Sequence, residues 1–227
     1  MNAVTPAPRR GRPPKALAQL TRSTIREAAL TVIDHEGIAA VSMRSVSRRL
    51  GVDAKSLYHH VADKDDLLDA VAEHLLGQLR PPTPTGELQT DLRALAHEFR
   101  RVTLAHPEAA TLVLTRQMST LAGLTPVSAL LAILRRAGAG PEHAVRLTRV
   151  LVATVVGMLL REVSAGPTFG SGKPADIAAR QSELAGSALP EVVACAPFLA
   201  RFDRDEEFAS GVDFVVDFVS FQLAGLT

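Results

Sequence analysis

From Thr21 onward apolar side chains return every three or four residues, the period of a helix and not the alternation of a strand. In "TRSTIREAALTVIDHEG" the residues Ile25, Ala28, Ala29, Val32 and Ile33 fall on one side of a helix, and Gly37 stops it. The side chains that carry the pattern are aliphatic: hydrophobic residues make up 47% of the chain and aromatic ones only 4%. Helices packed on helices suit that composition. The chain is expected to be all-α, and its 227 residues suffice for one large or two small domains.

Several classes drop out early. A single cysteine, Cys195, excludes a disulfide framework within the chain and suits a reducing compartment. The first twenty residues are basic and proline-rich and lack the apolar stretch of a secretion signal. The longest apolar run, Val150 to Leu160, lies between Arg149 and Arg161 and is short against the ~20 residues a bilayer requires. A soluble cytoplasmic protein is therefore expected. The net charge of +1 hides an asymmetry. Residues 1–64 carry eleven lysines and arginines against five acids, which leaves fourteen against nineteen in the remainder. A basic end on an acidic body points to a polyanionic partner for one end only.

Residues 1–20 hold almost nothing to bury and are expected to form a disordered basic arm. Within it "RRGRPPK" resembles the AT-hook core, so Arg9, Arg10 and Arg12 would enter a narrow A·T-rich minor groove, where the negative potential is enhanced. A solvated basic tail that adds affinity without reading sequence accounts for the same residues. The next stretch, "VSMRSVSRRLGVDAKSLYHHVADKDDLLDAVAEHLLGQL", reads as three helices. Ser42 can cap the first, with Val46 and Leu50 on its buried side and Gly51 ending it. Asp53 can cap a second, carrying Leu57 and Val61 inward, and Asp63 a longer third. Two short helices joined by a tight glycine turn make a helix-turn-helix. Lys55, Ser56, Tyr58, His59 and His60 are then the exposed face of a recognition helix. His59 and His60 are adjacent, point about 100° apart on a helix, and cannot clasp one ion.

Residues from about 22 to 79 resemble the DNA-binding domain of the TetR family of bacterial regulators. "LGVDAKSLYHHVADKDDLLDAV" is especially similar to the tetracycline-repressor class. The resemblance implies that Arg44, with Ser42, sits at the DNA backbone and that Tyr58 and Lys64 clamp phosphates. It also implies that Lys55, Ser56, His59 and His60 face the major groove. That class has Gln and Pro where this chain has Ala54 and Lys55, and Trp where it has His59, so its operator sequence does not carry over. Most of the wider family has Phe in place of Val61.

The expected domains are the arm at 1–20, the helix-turn-helix domain at 21–68 and a helical effector-binding and dimerisation domain at 69–227. In the body, helices are expected at about 87–105, 108–121, 125–138, 141–164 and 205–224, with shorter pieces at 174–186 and 190–201 around a Gly/Pro-rich segment. "GPTFGSGKP" fails as a phosphate loop, because Pro167 and Pro174 stand where Gly and Ser or Thr are required. The histidines of the body show no metal-ligand spacing, so neither a metal nor a cofactor is expected. Phe214, Phe218 and Phe221 form a stripe beside a second apolar side of the same helix, and residues 145–160 are apolar nearly all round. A helix apolar on two sides must bury both. The resemblance implies a homodimer closed by a four-helix bundle that includes Val152, Val156, Phe214, Phe218 and Phe221. A mostly aliphatic effector pocket is placed near Leu92, Leu95, Phe99, Val113, Leu121, Leu134 and Met158, and suits an apolar small molecule. The expected function is a ligand-responsive transcriptional regulator, a repressor, which binds double-stranded operator DNA and no membrane. An effector-independent architectural DNA-binding protein and a helical enzyme are the alternatives. The enzyme lacks any nucleophile–base or metal spacing.

Overall fold

The computed structural model describes residues 20–116, 124–164 and 170–225. Among them are eleven α-helices and no strand. The chain divides into two compact units, one ending at Val71 and the other beginning at Ala72.

The first unit is built from α1 (Arg22–Glu36), α2 (Met43–Leu50), α3 (Ala54–Leu57) and the start of α4 (Lys64–Leu76). Each helix begins or ends on a local signal. The Thr21 side chain accepts from the Thr24 amide to open α1, and Gly37, at φ 80°, closes it. Ser42 and Ser45 form a reciprocal capping box at the head of α2, which satisfies two donors the helix leaves unpaired. Gly51 ends α2 in the left-handed region, at φ 67° and ψ 30°. Asp53 then caps α3 through the Lys55 amide at 2.7 Å, and Asp63 caps α4 through the Asp66 amide at 2.8 Å. The periodic residues of α1 meet Val41, Val46, Leu57, Val61 and Leu67 in one sealed core. Leu50 and Val52, expected inside, are half-buried.

The second unit begins with the end of α4 and continues through α5 (Leu88–Leu104), α6 (Ala110–Thr115), α7 (Thr125–Arg136) and α8 (Pro141–Ser164). It closes with α9 (Pro174–Ala185), α10 (Pro190–Leu199) and α11 (Arg204–Ala224). Its core joins Leu92, Leu95, Leu134, Leu147, Leu159, Phe208 and Val219 from α5, α7, α8 and α11. One ion group, buried at Arg100 and Glu162 and open at Asp205, ties three of these helices. Arg100 of α5 donates to both oxygens of Glu162 of α8, at 3.0 and 2.7 Å, and pairs with Asp205 of α11 at 2.7 Å. Its guanidinium lies 4.9 Å from the centre of the Phe208 ring. Two pairs between α8 and α11, Arg161 with Glu207 and Met158 with Gly211, run in opposite chain directions, so these helices are antiparallel. At Gly211 the missing side chain leaves space that the end of the Met158 side chain fills.

By length and composition alone the 24 residues of α8 could cross a membrane, contrary to the reading of its apolar run by itself. Leu147, Leu151, Val155 and Leu159 are instead sealed in the core, which accounts for one apolar side of the helix. The expected helix at 108–121 is shorter. It starts as a 3₁₀ turn at Pro107–Ala109 and stops at Thr115, where Arg116 turns to an extended backbone; 117–123 lie outside the described residues. The Gly/Pro-rich stretch holds a helical hairpin. α9 buries none of its residues and α10 only Ala196, and the two pack chiefly on each other. Their base is clasped by Ser171 N–H to Ala200 O and Phe202 N–H to Ser171 O, both at 3.1 Å. Gly170, at φ 91°, makes the clasp possible, since a Cβ there would lie 2.6 Å from Arg201 O.

Leu134 is wholly buried at the centre of the second unit. Leu134→Ala should cost about 2–5 kcal/mol through lost transfer energy and the cavity left behind. Urea unfolding measures it, and an unchanged midpoint would show that α7 lies outside the cooperative core.

Candidate nucleic-acid interface and ligand groove

The turn at Gly51 sets the interface. Its amide donates to Arg48 O at 3.3 Å and the Val52 amide to Ser47 O at 3.1 Å, which closes α2 and releases the chain into α3. α3 is a single turn, continued as turns through His60. Leu57 is fully sealed and Val61 nearly so, and these two anchors fix which side faces out. Lys55 and His59 are exposed, Tyr58 is 54% exposed, and Ser56 and His60 are half-buried. Lys64 is exposed at the first turn of α4, and Arg44 on α2 is exposed together with Arg48 and Arg49. The expected set therefore gathers on one unit, mostly with its polar ends free.

Ser42 is differently placed. Its amide donates to Ser45 Oγ at 2.9 Å, and its hydroxyl donates to the same atom at 3.1 Å while accepting from the Ser45 amide. Both of its donors are thus engaged in the capping box. Arg9, Arg10 and Arg12 lie outside the described residues.

A further group was not legible from spacing. Arg22, the first residue of α1, forks onto Asp66 of α4 at 2.5 and 3.3 Å and also donates to His60 O at 3.4 Å. Asp66 accepts the Ala62 amide at 2.8 Å as well. That amide bond, with the Arg22 guanidinium beside it, holds the Asp66 carboxyl below its ordinary value. Arg22 is 38 residues from His60 and 44 from Asp66 in sequence, too far for local spacing to join them.

In the second unit a groove of about 860 Å³ opens between the proline strap Pro81–Pro84, the start of α5 and one side of α7. Its walls are mostly apolar, with Leu95, Leu124, Ala129 and Ile133 facing the prolines. Asp91 fastens the strap: Oδ1 accepts the Thr85 amide at 2.7 Å and the Thr85 hydroxyl at 2.8 Å. These two bonds hold its carboxyl below the usual range. Arg136 approaches Asp91 only to 3.7 Å. Of the residues expected to line a pocket, Leu95 reaches this groove. Leu92 and Leu134 lie in the core, with Phe99 and Met158 packed against it, Val113 is buried in α6, and Leu121 is outside the described residues.

On α11, Phe214 and Phe221 are 77% and 75% exposed and Phe218 is 45% exposed, although Val215, Val216 and Val219 of the same helix are buried. Val152 of α8 is exposed and Val156 half-buried. Among the described residues no three of His, Cys, Asp and Glu come together as a metal ion would need.

Residues 25–71 match the family described as bacterial regulatory proteins, tetR family, and residues 80–221 the tetracyclin repressor-like C-terminal domain. A transcriptional regulator of the helix-turn-helix type from Saccharopolyspora erythraea is 35% identical over 144 residues, covering 63% of this chain and 61% of that protein. The class D tetracycline repressor of Escherichia coli is 33% identical over 97 residues, 41% of this chain and 44% of its own. The chain thus matches about six-tenths of the length of the first of these and less than half of the second. Among solved structures, ActR of Streptomyces coelicolor in complex with (S)-DNPA superposes with a TM-score of 0.77 at 26% identity. That match covers 91% of this chain and 98% of ActR.

Because Asp66 has a lowered pKa in the fold, its stabilising effect is complete above its ordinary value of 3.8 and disappears as pH falls through the lowered one. Asp66→Asn should therefore destabilise the protein at pH 7, and the gap from wild type should close on acidification. Urea titrations across that range measure the gap, and one that ignored pH would remove Asp66 as a charged partner.

Proposed function

Because the chain belongs to the TetR family of bacterial regulatory proteins, we propose that it is a ligand-responsive repressor. It binds a palindromic operator as a homodimer and leaves it when a small, mostly apolar effector enters the body. The observation that carries this reading is the exposed face of Lys55, Tyr58 and His59 above the sealed anchors Leu57 and Val61.

On that face Lys55, Ser56, His59 and His60 meet bases or backbone in the major groove, where a lysine favours guanine O6 and N7. Tyr58 and Lys64 hold phosphates, Lys64 from the positive end of α4. Arg44 stands beside Ser42 at the backbone, and Arg9, Arg10 and Arg12 add contacts from the arm. A two-fold dimer places two such faces ~34–36 Å apart, or a multiple, in major grooves on one side of the duplex. The exposed Phe214, Phe218 and Phe221, with Val152 and Val156, supply the apolar surface that a four-helix bundle covers. The effector lies along α5 and its neighbours, by Leu92, Leu95, Phe99, Val113, Leu121, Leu134 and Met158. Leu95, shared by core and groove, marks its way in. That ActR forms a complex with (S)-DNPA supports a ligand for this chain. Reversing a 99:1 preference between two conformations requires ~5.5 kcal/mol of differential affinity. Such a protein works in the cytoplasm.

Selection from randomised duplexes tests the DNA reading. Wild type should enrich a palindrome. Tyr58→Phe should weaken all duplexes alike, because a phosphate contact positions without specifying, whereas Lys55→Ala or His59→Ala should alter the enriched bases. A consensus altered by Tyr58→Phe and untouched by Lys55→Ala would reverse the assignment.

The dimer has its own test. Phe214→Glu places an unpaired charge in a desolvated interface, at a cost of several kcal/mol. Sedimentation should then show monomers, and palindrome binding should vanish although the reading face is intact. A wild type monomeric at micromolar concentration would sink the bundle.

A further inference from the structure

We propose that Arg22 and Asp66 form a positioning latch that sets the reading face at the depth and tilt required by a specific DNA site, without themselves touching DNA. The inference rests on the DNA-binding reading above and extends it to two residues outside the reading face.

The geometry is that of a three-way tie. His60 closes the turns that follow α3, and its carbonyl accepts from Arg22 Nη1 at 3.4 Å. Two residues on, the Ala62 amide donates to Asp66 Oδ2 at 2.8 Å. Arg22 binds the same carboxylate through both terminal nitrogens, at 2.5 and 3.3 Å. The exit of the recognition segment is thereby fastened both to the first turn of α4 and to the first residue of α1. Asp66 is itself located by its own amide, which donates to Asp63 Oδ1 at 2.8 Å. Leu57 and Val61 settle which side of the segment is buried, but apolar contact is not directional and leaves rotation about their line free. The latch removes that freedom, because a forked guanidinium–carboxylate pair defines a plane. Arg22 is about half exposed and Asp66 28% exposed, so the pair contributes modestly to global stability and chiefly to geometry.

Charge alone gives the opposite expectation, and this makes the inference testable. Asp66 is an anion in a unit that binds a polyanion, so neutralising it should tighten every duplex if electrostatics were the whole effect. If the latch positions the face, Asp66→Asn should weaken the palindrome roughly twofold to fivefold, the scale of a partly exposed charged contact. The affinity for a scrambled duplex of equal length should stay level or rise. Arg22→Lys, which keeps the charge and loses the fork, should weaken the palindrome similarly with an unchanged slope of log affinity against log salt. The double variant should be no worse than the poorer single one, since both break a single tie.

The experiment uses the full chain, the palindrome enriched by wild type and the scrambled duplex, with circular dichroism and urea unfolding on each variant. A change in the ratio of palindrome to scrambled affinity, at wild-type helicity, is the expected result. Palindrome and scrambled affinities that fall together would reduce the pair to a structural role and overturn the proposal. So would an Asp66→Asn variant that tightens the palindrome, or an Arg22→Ala variant whose salt slope drops by ~0.9, the mark of a lost phosphate contact. A wild type that enriches no palindrome would overturn the DNA-binding reading itself, before any variant is made, and the latch with it.

Discussion

The reversal at Gly51 is the constraint on which the first unit depends. At φ 67° and ψ 30° its backbone lies in the left-handed region, which residues bearing a Cβ enter only at a cost of about 1–2 kcal/mol. Because the chain turns there in a single residue, the amides of Gly51 and Val52 complete α2 while Asp53 is already in place to open α3. The two helices are consequently close enough for Val46 and Leu57 to share a core. Which side of the segment stays exposed follows from that shared burial. α3 is one turn of helix, with almost no stability by itself, and so depends on being held against α2 by this short connection.

The second unit solves a different problem, how to hold long aliphatic helices in a fixed register. Leucine, valine and alanine pack densely but discriminate poorly among neighbouring registers, because they offer no directional contact. Arg100 supplies direction, as its two nitrogens meet both oxygens of a buried Glu162 and it reaches Asp205 besides. Losing one partner of such a buried pair leaves an uncompensated charge and costs about 3–5 kcal/mol. A shift of α8 along α5 by one helical turn would break it. Met158 seated at Gly211 adds a contact between α8 and α11 that works by shape and not by charge.

Much of this was legible beforehand because it is local. Ser42, Gly51, Asp53 and Asp63 act within four residues of themselves, and the structure uses each as a cap or stop in the way its chemistry suggests. The helices of the body followed from apolar period alone, and the all-α architecture with them. What escaped depends on contacts between distant residues. Nothing adjacent to Arg22 announces that it will meet Asp66, and the proline strap becomes one wall of a groove only because Asp91 gathers the Thr85 amide and hydroxyl. The early end of α6 at Arg116 escaped too, as the apolar residues preceding it continue the helical period without a glycine or proline to stop it. Ser42 shows how one residue type can serve two readings: by chemistry it is as good a phosphate donor as its neighbours, and in the fold its amide and hydroxyl both donate to Ser45 Oγ in the capping box.

The hairpin of α9 and α10 has a different thermodynamic character from the helices around it. It brings one buried side chain, Ala196, to some twenty helical residues, so little apolar area is lost to water if it opens. Its two legs are joined at the base by the bonds of Ser171 with Ala200 and Phe202. Separating the legs is therefore opposed chiefly by that clasp and by the contact of the two helices. Its amides are expected to exchange with solvent before those of α8 or α11, and a protease to cut there first in an otherwise native molecule. The body is in this sense two layers of stability in one unit: a slow framework, and a fast appendage that can sample other arrangements without the framework registering the change.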